Sequence, residues 1–269
     1  MLKIPGVLER MIEHRRNKFL RKAVKRRRLQ LSRELDARLA STVAYGPFAG
    51  LRLSDDAWWG AADRAAMLLG LYEQEILLEL SGLPDRYTTF VDIGAADGYY
   101  AVGVLVGGMF ERVRCHEVSA AGRKTIHANA VRNGVADRVT IRGYAGSDFL
   151  DDFDEDDLAH SVFLFDIEGG EFDLLDADIL EKLRHSIVFI ELHPFHAEAG
   201  QEKVETLKSL ARHYFQLSEF HTGGRDPSAF PELHGYNDSD RWLICSEGRE
   251  CLMSWLRLDP LESRPDHTA

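Results

Sequence analysis

Val91-Asp92-Ile93-Gly94-Ala95-Ala96-Asp97-Gly98-Tyr99-Tyr100 reads as a buried strand that runs into a glycine-punctuated turn and then opens a helix. In such a turn Gly94 and Gly98 let backbone approach a ligand where a Cβ would collide, and the new helix directs free N–H groups into the same space. Glu117 follows nineteen positions after Gly98, at the end of the apolar run Val113-Arg114-Cys115-His116. A carboxylate there accepts both hydroxyls of a ribose. Together the two features imply a nucleoside-cofactor site. The alternative is a tight strand-to-helix turn of an ordinary α/β protein, with Glu117 solvated.

The charge around the turn selects among cofactors. A dinucleotide brings an anionic pyrophosphate, which favours three glycines and bare N–H groups. Asp92 and Asp97 flank this turn and would repel it, yet they suit the ammonium and sulfonium charges of S-adenosylmethionine (SAM). SAM is therefore expected over NAD.

Working outward, a chain of 269 residues with 45% hydrophobic content accommodates one α/β domain with appendages. No apolar run approaches the ~20 residues of a membrane span, and the N-terminus lacks the apolar core of a signal peptide. Cys115, Cys245 and Cys251 lack metal-ligand spacing and read as free thiols of a reducing cytosol. The net charge of −11 is unevenly spread: residues 1–33 hold 12 Lys/Arg against Glu9 and Glu13. This segment, with Leu8, Ile12, Phe19, Leu20 and Val24 interleaved, reads as a basic helix with an apolar stripe suited to an anionic membrane or RNA. It could equally dock on its own domain, where Asp148, Asp151, Asp152, Asp154, Glu155, Asp156 and Asp157 form an acidic cluster.

The chain divides into a basic helical arm (1–40), a cap segment (41–86) with helical periodicity over 62–80, and a main domain (87–269). In the main domain strands at 89–93, 112–117, 138–142, 162–167 and 187–192 alternate with helices at 98–106, 120–133, 171–183 and 201–213. This alternation implies a doubly wound parallel sheet. Tyr214-Phe215-Gln216-Leu217 and Arg241-Trp242-Leu243-Ile244-Cys245 are expected to pair as an antiparallel hairpin. The polar stretch between them, 221–240, is expected to form part of the acceptor site.

Ligands of doubly wound sheets bind at the carboxyl ends of the strands. Asp166 closes the fourth strand in Phe165-Asp166-Ile167-Glu168-Gly169-Gly170-Glu171, and Glu191 and His193 close the fifth. Asp166 and Glu168 share parity, as do Glu191 and His193, so each pair is expected on one face of an extended segment. Such a group can hold a hard divalent ion, or His193 alone can act as general base on an acceptor hydroxyl. Taken singly, Glu171 also suits a helix N-terminus and His193 a strand end. Trp58-Trp59 either pack the cap or cover the ligand.

Val91–Tyr100, Glu117 with Asn129 and Asn133, the Phe165–Glu171 string and Phe189-Ile190-Glu191-Leu192-His193 resemble, in order, the FkbM family of SAM-dependent methyltransferases, over roughly residues 70–250. The resemblance implies a Rossmann-like class I methyltransferase fold: a mainly parallel seven-stranded sheet with one antiparallel strand, here preceded by the helical arm. It implies SAM as methyl donor, bound by Asp92, Gly94, Ala95, Gly98 and Glu117, with Ala145 and Gly146 near adenine. It also implies methylation of a hydroxyl on a sugar, glycan or secondary metabolite. Ala96 departs from the family, which often has Asn there, and Tyr72-Glu73 resembles a family pair on the cofactor side. The turn is also similar to that of catechol-type O-methyltransferases, which implies Mg²⁺ on Asp166, Glu191 and His193. Two further expectations remain open: an RNA or protein methyltransferase that uses the arm, and a non-catalytic SAM-binding scaffold docked on a membrane. The expected location is the cytoplasm, with a peripheral position at the inner face of the membrane as the alternative.

Overall fold

The computed structural model describes residues 5–55, 58–249 and 251–261. Its seven strands are β1 (Thr89–Ile93), β2 (Arg112–His116), β3 (Val139–Arg142), β4 (Ser161–Phe165), β5 (Ile187–Glu191), β6 (Phe215–His221) and β7 (Ser254–Pro260). They form one sheet in the order β3-β2-β1-β4-β5-β7-β6. The first five run parallel, and β7 lies antiparallel between β5 and β6. Every residue of β1, β4 and β5 is buried, because helices cover both faces of a parallel sheet. One face packs Phe90, Val104, Ile126 and Phe189, the other Val91, Phe163, Phe165 and Leu180.

Ten α-helices accompany the sheet among the described residues: α1 (Pro5–Leu39), α2 (Arg64–Leu68), α3 (Gln74–Ser81), α4 (Tyr99–Val106), α5 (Ala120–Arg132), α6 (Glu155–Ala159), α7 (Glu171–Leu174), α8 (Ala177–Lys182), α9 (Gly200–Ala211) and α10 (Asp238–Cys245). Several begin on side chains that satisfy free amides. Ser119 accepts from Ala121 and Gly122, and Asp176 from Ile179. That second cap starts a new helix, so the expected helix over 171–183 is two.

The C-terminal part departs from the expected hairpin. Arg241–Cys245 is not a strand but the body of α10, which Asn237 initiates by accepting from the amide of Asp240. Ile244 and Cys245 are buried while Trp242 is exposed, a helical rather than an alternating pattern. The antiparallel partner of β6 is β7, whose Trp255, Leu256 and Leu258 are buried between two neighbours.

The arm is two things. Its second half belongs to the body: Leu31 and Leu35 are fully buried against Leu69, Leu233 and Ile244. Arg27 grips Asp240 through both carboxylate oxygens at 2.9 and 2.6 Å, and Arg28 reaches Asp63 at 2.5 Å. Its first half, Arg10–Arg26, is exposed throughout. Docking on the acidic cluster does not occur among the described residues. Asp152 pairs instead with Arg142 at 2.8 Å, and Asp154 and Asp157 form the capping box of α6.

Replacing Leu31 by Ala should therefore lower the unfolding free energy by about 2–5 kcal/mol. Replacing the exposed Phe19 by Ala should change it by less than about 0.5 kcal/mol. Urea unfolding of the two variants checks the division.

Candidate active site

The turn after β1 is shaped by packing before it meets any ligand. Gly94 has φ +100°, and a Cβ there would sit 1.8 Å from the carbonyl oxygen of Asp166. A Cβ on Gly98, at φ +78°, would press on Ile126 at 3.1 Å. Both glycines thus let the turn nest against β4 and α5, which is a different reason from the expected approach to a ligand. Ala96, where the resembled family often has Asn, adopts φ +46°. An L-residue with a Cβ is disfavoured there, and Asn tolerates it better.

Glu117, at the end of β2, is buried and accepts from the amides of Ala96 at 2.9 Å and Ser119 at 2.6 Å. These bonds fix its carboxylate at the mouth of the turn while leaving lone pairs for further donors. Asp97 accepts from the amides of Trp58 and Trp59, both at 3.0 Å, and so ties the cap to the turn. Asn129 and Asn133 are ties of the same kind: Asn129 accepts from Ser54 at 2.6 Å, and Asn133 from Arg52 at 2.9 Å.

Beside the turn lies a cavity of about 500 Å³. Gly94, Ala96, His116 and Glu117 line one side, Tyr144, Ala145 and Ser147 another, and Ile167, Leu174, Trp58 and Trp59 complete it. Asp166, Glu168, Asp173 and Asp176 also border it, and this mostly apolar slot with Glu117 fixed at its edge suits a nucleoside. His116 presents a buried Nδ1 that lacks a partner within the protein. Of the expected cofactor residues, Gly94, Glu117 and Ala145 reach the wall. Asp92, Ala95, Gly98 and Gly146 stand behind it. Burial, and next the carboxylates of Asp166 and Glu117, push the Asp92 carboxyl well above the ordinary range. Its Oδ2 is buried without a hydrogen-bond partner among the described residues.

A second cavity, of about 980 Å³, shares Trp58, Trp59, Asp166 and Glu168 with the first. The end of β5 supplies Glu191 and His193, and Tyr72, Glu73, Glu247, Arg249 and Phe195 close it, with Lys25 and Leu29 of α1 at its side. His193 Nε2 lies 3.6 Å from Asp166, 3.6 Å from Glu191 and 3.7 Å from Glu168. The parity argument holds only in part, because Glu168 turns into the left-handed region at φ +55° and ends the extended run. It reaches the cluster from that turn, and pairs with His196 at 2.9 Å.

Two further residues complete this cluster. Glu171 is fully buried; it accepts from the backbone amide of His193 at 2.9 Å and sets Oε1 3.4 Å from His193 Nδ1. Arg249 donates to Glu191 and Glu247, both at 2.7 Å, and to Glu73. Burial pushes the carboxyl of Glu73 up to about 7, against the opposing charge of Arg249. Burial raises Asp166 too, and Glu191 further, where the neighbouring Asp166 and Glu73 add to it. For His193 burial opposes the charged form, but Glu171, Asp166 and Glu168 outweigh it and raise the imidazole above its ordinary value. Arg249 was missed because its position depends on the chain crossing from α10 to β7.

Tyr72 and Glu73 line the second cavity. Residues 221–240 line neither cavity: Phe230 and Leu233 pack under α1, while Arg225 bridges Glu75 and Glu247, both at 2.6 Å. The expected metal set does converge, with one ligand atom each from Asp166, Glu191 and His193 within 4.8 Å of one another.

Residues 84–221, about half of the chain, match a family model described as the methyltransferase FkbM domain. No curated protein matches the sequence significantly. Among solved structures, an O-methyltransferase from Bacillus cereus in complex with SAH is 10% identical, with 86% of this chain and 90% of that one covered and a TM-score of 0.41. The precorrin-6y C5,15-methyltransferase from Geobacter metallireducens is 13% identical over 70% and 87% of the two chains, at a TM-score of 0.45. The B. subtilis M1A22 tRNA methyltransferase TrmK is 11% identical over 68% and 64%, at 0.43. At these scores the likenesses carry no statement about the substrate.

The left-handed backbone at position 96 gives a direct test. Ala96→Asn should raise stability by about 0.5–1 kcal/mol in urea unfolding, because Asn adopts φ > 0 at lower cost.

Proposed function

The chain belongs to the FkbM family of SAM-dependent methyltransferases, and from that premise we propose that it methylates a hydroxyl oxygen of a sugar, glycan or other polyhydroxylated metabolite. The observation that carries this reading is the second cavity: carboxylates from Glu73, Asp166, Glu168 and Glu191 stand beside the rings of Trp58, Trp59, Tyr72 and Phe195. Carboxylates accept hydrogen bonds from hydroxyls, and flat aromatic faces suit the C–H faces of a sugar ring. The same crowd of negative charge disfavours a phosphate-rich polymer at the reacting centre. This argues against the RNA reading, even though α1 is basic.

In this proposal the first cavity holds SAM, with Glu117 accepting from the ribose hydroxyls, and SAM when bound supplies an electrophilic sulfonium methyl. The acceptor oxygen lies where the cavities meet, near Asp166, and forms its new bond to carbon as the sulfur–carbon bond breaks. His193 Nε2 takes the hydroxyl proton. Glu171 holds the ring from the other side and stabilises the imidazolium that forms, so it is a positioning residue. Trp58 and Trp59 close the junction against water, and alignment supplies most of the acceleration.

A divalent cation such as Mg²⁺ is the proposed alternative at this centre: held by Asp166, Glu191 and His193 Nε2, it would occupy the nitrogen that otherwise takes the proton. Asp166, Glu191 and His193 converge, and burial, with mutual repulsion at Glu191, raises both carboxyls, a cost that a cation would relieve. Bound there, it would lower the pKa of the acceptor hydroxyl. Arg249, already on Glu191, is its competitor for that charge.

The two roles separate in kinetics. Glu117→Ala should weaken SAM binding at least tenfold in calorimetric titration, whereas His193→Ala should keep SAM affinity and lower kcat by about 10²–10⁴; the reverse pattern contradicts the assignment. Because neighbouring carboxylates raise His193 above the ordinary imidazole value, wild-type kcat should fall as pH drops through a midpoint above about 6.5. That limb should be absent in His193→Ala. Dialysis against EDTA should abolish turnover if the cation is required; unchanged turnover removes the cation and leaves His193 as base.

A further inference from the structure

From Arg10 to Arg26 every residue of α1 is exposed, and this stretch holds eight Lys/Arg against the single acid Glu13. Its large apolar side chains are exposed as well, with Ile12 58%, Phe19 70% and Leu20 50% accessible. At 3.6 residues per turn, Ile12 and Phe19, seven apart, lie on one side of the helix, continued by Leu20 and Val24, four apart. Lys18, Lys22 and Lys25, spaced by four and three, lie on the other side. Arg16 falls on the apolar side, where a long side chain extends its charge outward past an apolar boundary.

Ile12, Phe19, Leu20 and Val24 all remain exposed. Burial along α1 begins at Arg27, and the helix packs on α2 and α10. The acidic cluster at 148–157 is engaged with Arg142 and with its own helix cap. A solvated basic helix has no need of four bulky apolar residues on one side, and phosphate binding by RNA uses the charge but not those side chains. Charge and apolar area are satisfied together by a surface of anionic headgroups over acyl chains. No helix among the described residues is long and apolar enough to cross a membrane, so α1 would lie on that surface rather than span it.

We propose that residues 10–26 dock the protein on an anionic lipid bilayer, with the helix in the headgroup plane and Ile12, Phe19, Leu20 and Val24 turned toward the acyl boundary. Of these residues Lys25 alone also lines the second cavity; Ile12, Phe19, Leu20 and Val24 line neither, so the contact stands whether or not the acceptor is a sugar.

Sedimentation of the full chain with vesicles tests the proposal. It should pellet with vesicles of phosphatidylcholine mixed with phosphatidylglycerol, stay in solution with phosphatidylcholine alone, and lose binding as salt rises. Phe19→Glu with Leu20→Glu should abolish pelleting at an unchanged melting temperature, since neither side chain packs on the body. Arg15, Lys18 and Lys22→Gln should each weaken partitioning about fivefold. Two results would overturn the proposal: a wild-type chain that ignores anionic vesicles, or a Phe19→Glu/Leu20→Glu variant that pellets like wild type. A chain that ignores vesicles but binds single-stranded RNA, or that light scattering shows to self-associate through Phe19 and Leu20, would overturn it in favour of that partner.

Discussion

Arg249 and the carboxylates around it form the interaction on which the rest of the site depends. Glu73 comes from the cap, Glu191 from the end of β5 and Glu247 from the segment after α10, and one guanidinium binds all three. An isolated buried carboxylate is costly, and a group of them is tolerated only with opposite charge at close range. Arg249 offsets part of that charge. Burial still raises the carboxyls of Asp166, Glu191 and Glu73, and neighbouring carboxylates add to it. The cap, the sheet and the C-terminal segment are thereby joined at the point where two cavities meet.

Those cavities divide the chemistry. The first is a mostly apolar slot with Glu117 held rigidly at its edge by two backbone amides. The second is acidic and aromatic, and contains the only imidazole held from behind by a buried carboxylate among the described residues. Trp58 and Trp59 belong to both, and Asp97 places them there through their backbone.

Much of this arrangement is legible in the sequence because it is local. The strands from Thr89 to Glu191 are short apolar runs bounded by turns, and their ends carry Glu117, Asp166, Glu191 and His193, so topology alone brings those groups together. What was not legible depends on distant segments. The glycines of the turn are required by Asp166 and Ile126, which lie far away in the chain. Arg241–Cys245 has an apolar composition that fits a strand, and only the Asn237 cap shows that it starts a helix. The wall of the second cavity comes from Tyr72, Glu73 and residues 247–253 rather than from the polar loop at 221–240, whose Phe230 and Leu233 are core. No local pattern distinguishes a buried loop from a mobile one when the surface that buries it is a helix two hundred residues earlier.

The central claim is that nucleoside and methyl acceptor occupy separate cavities that meet at Asp166. A crystal structure of the complex with S-adenosylhomocysteine tests it most directly. The account predicts both ribose hydroxyls within hydrogen-bond distance of Glu117, adenine beside Ala145, and the sulfur directed at the junction near Asp166 and His193. A nucleoside seated instead among Glu73, Arg249 and Phe195, or a sulfur turned away from His193, would contradict it.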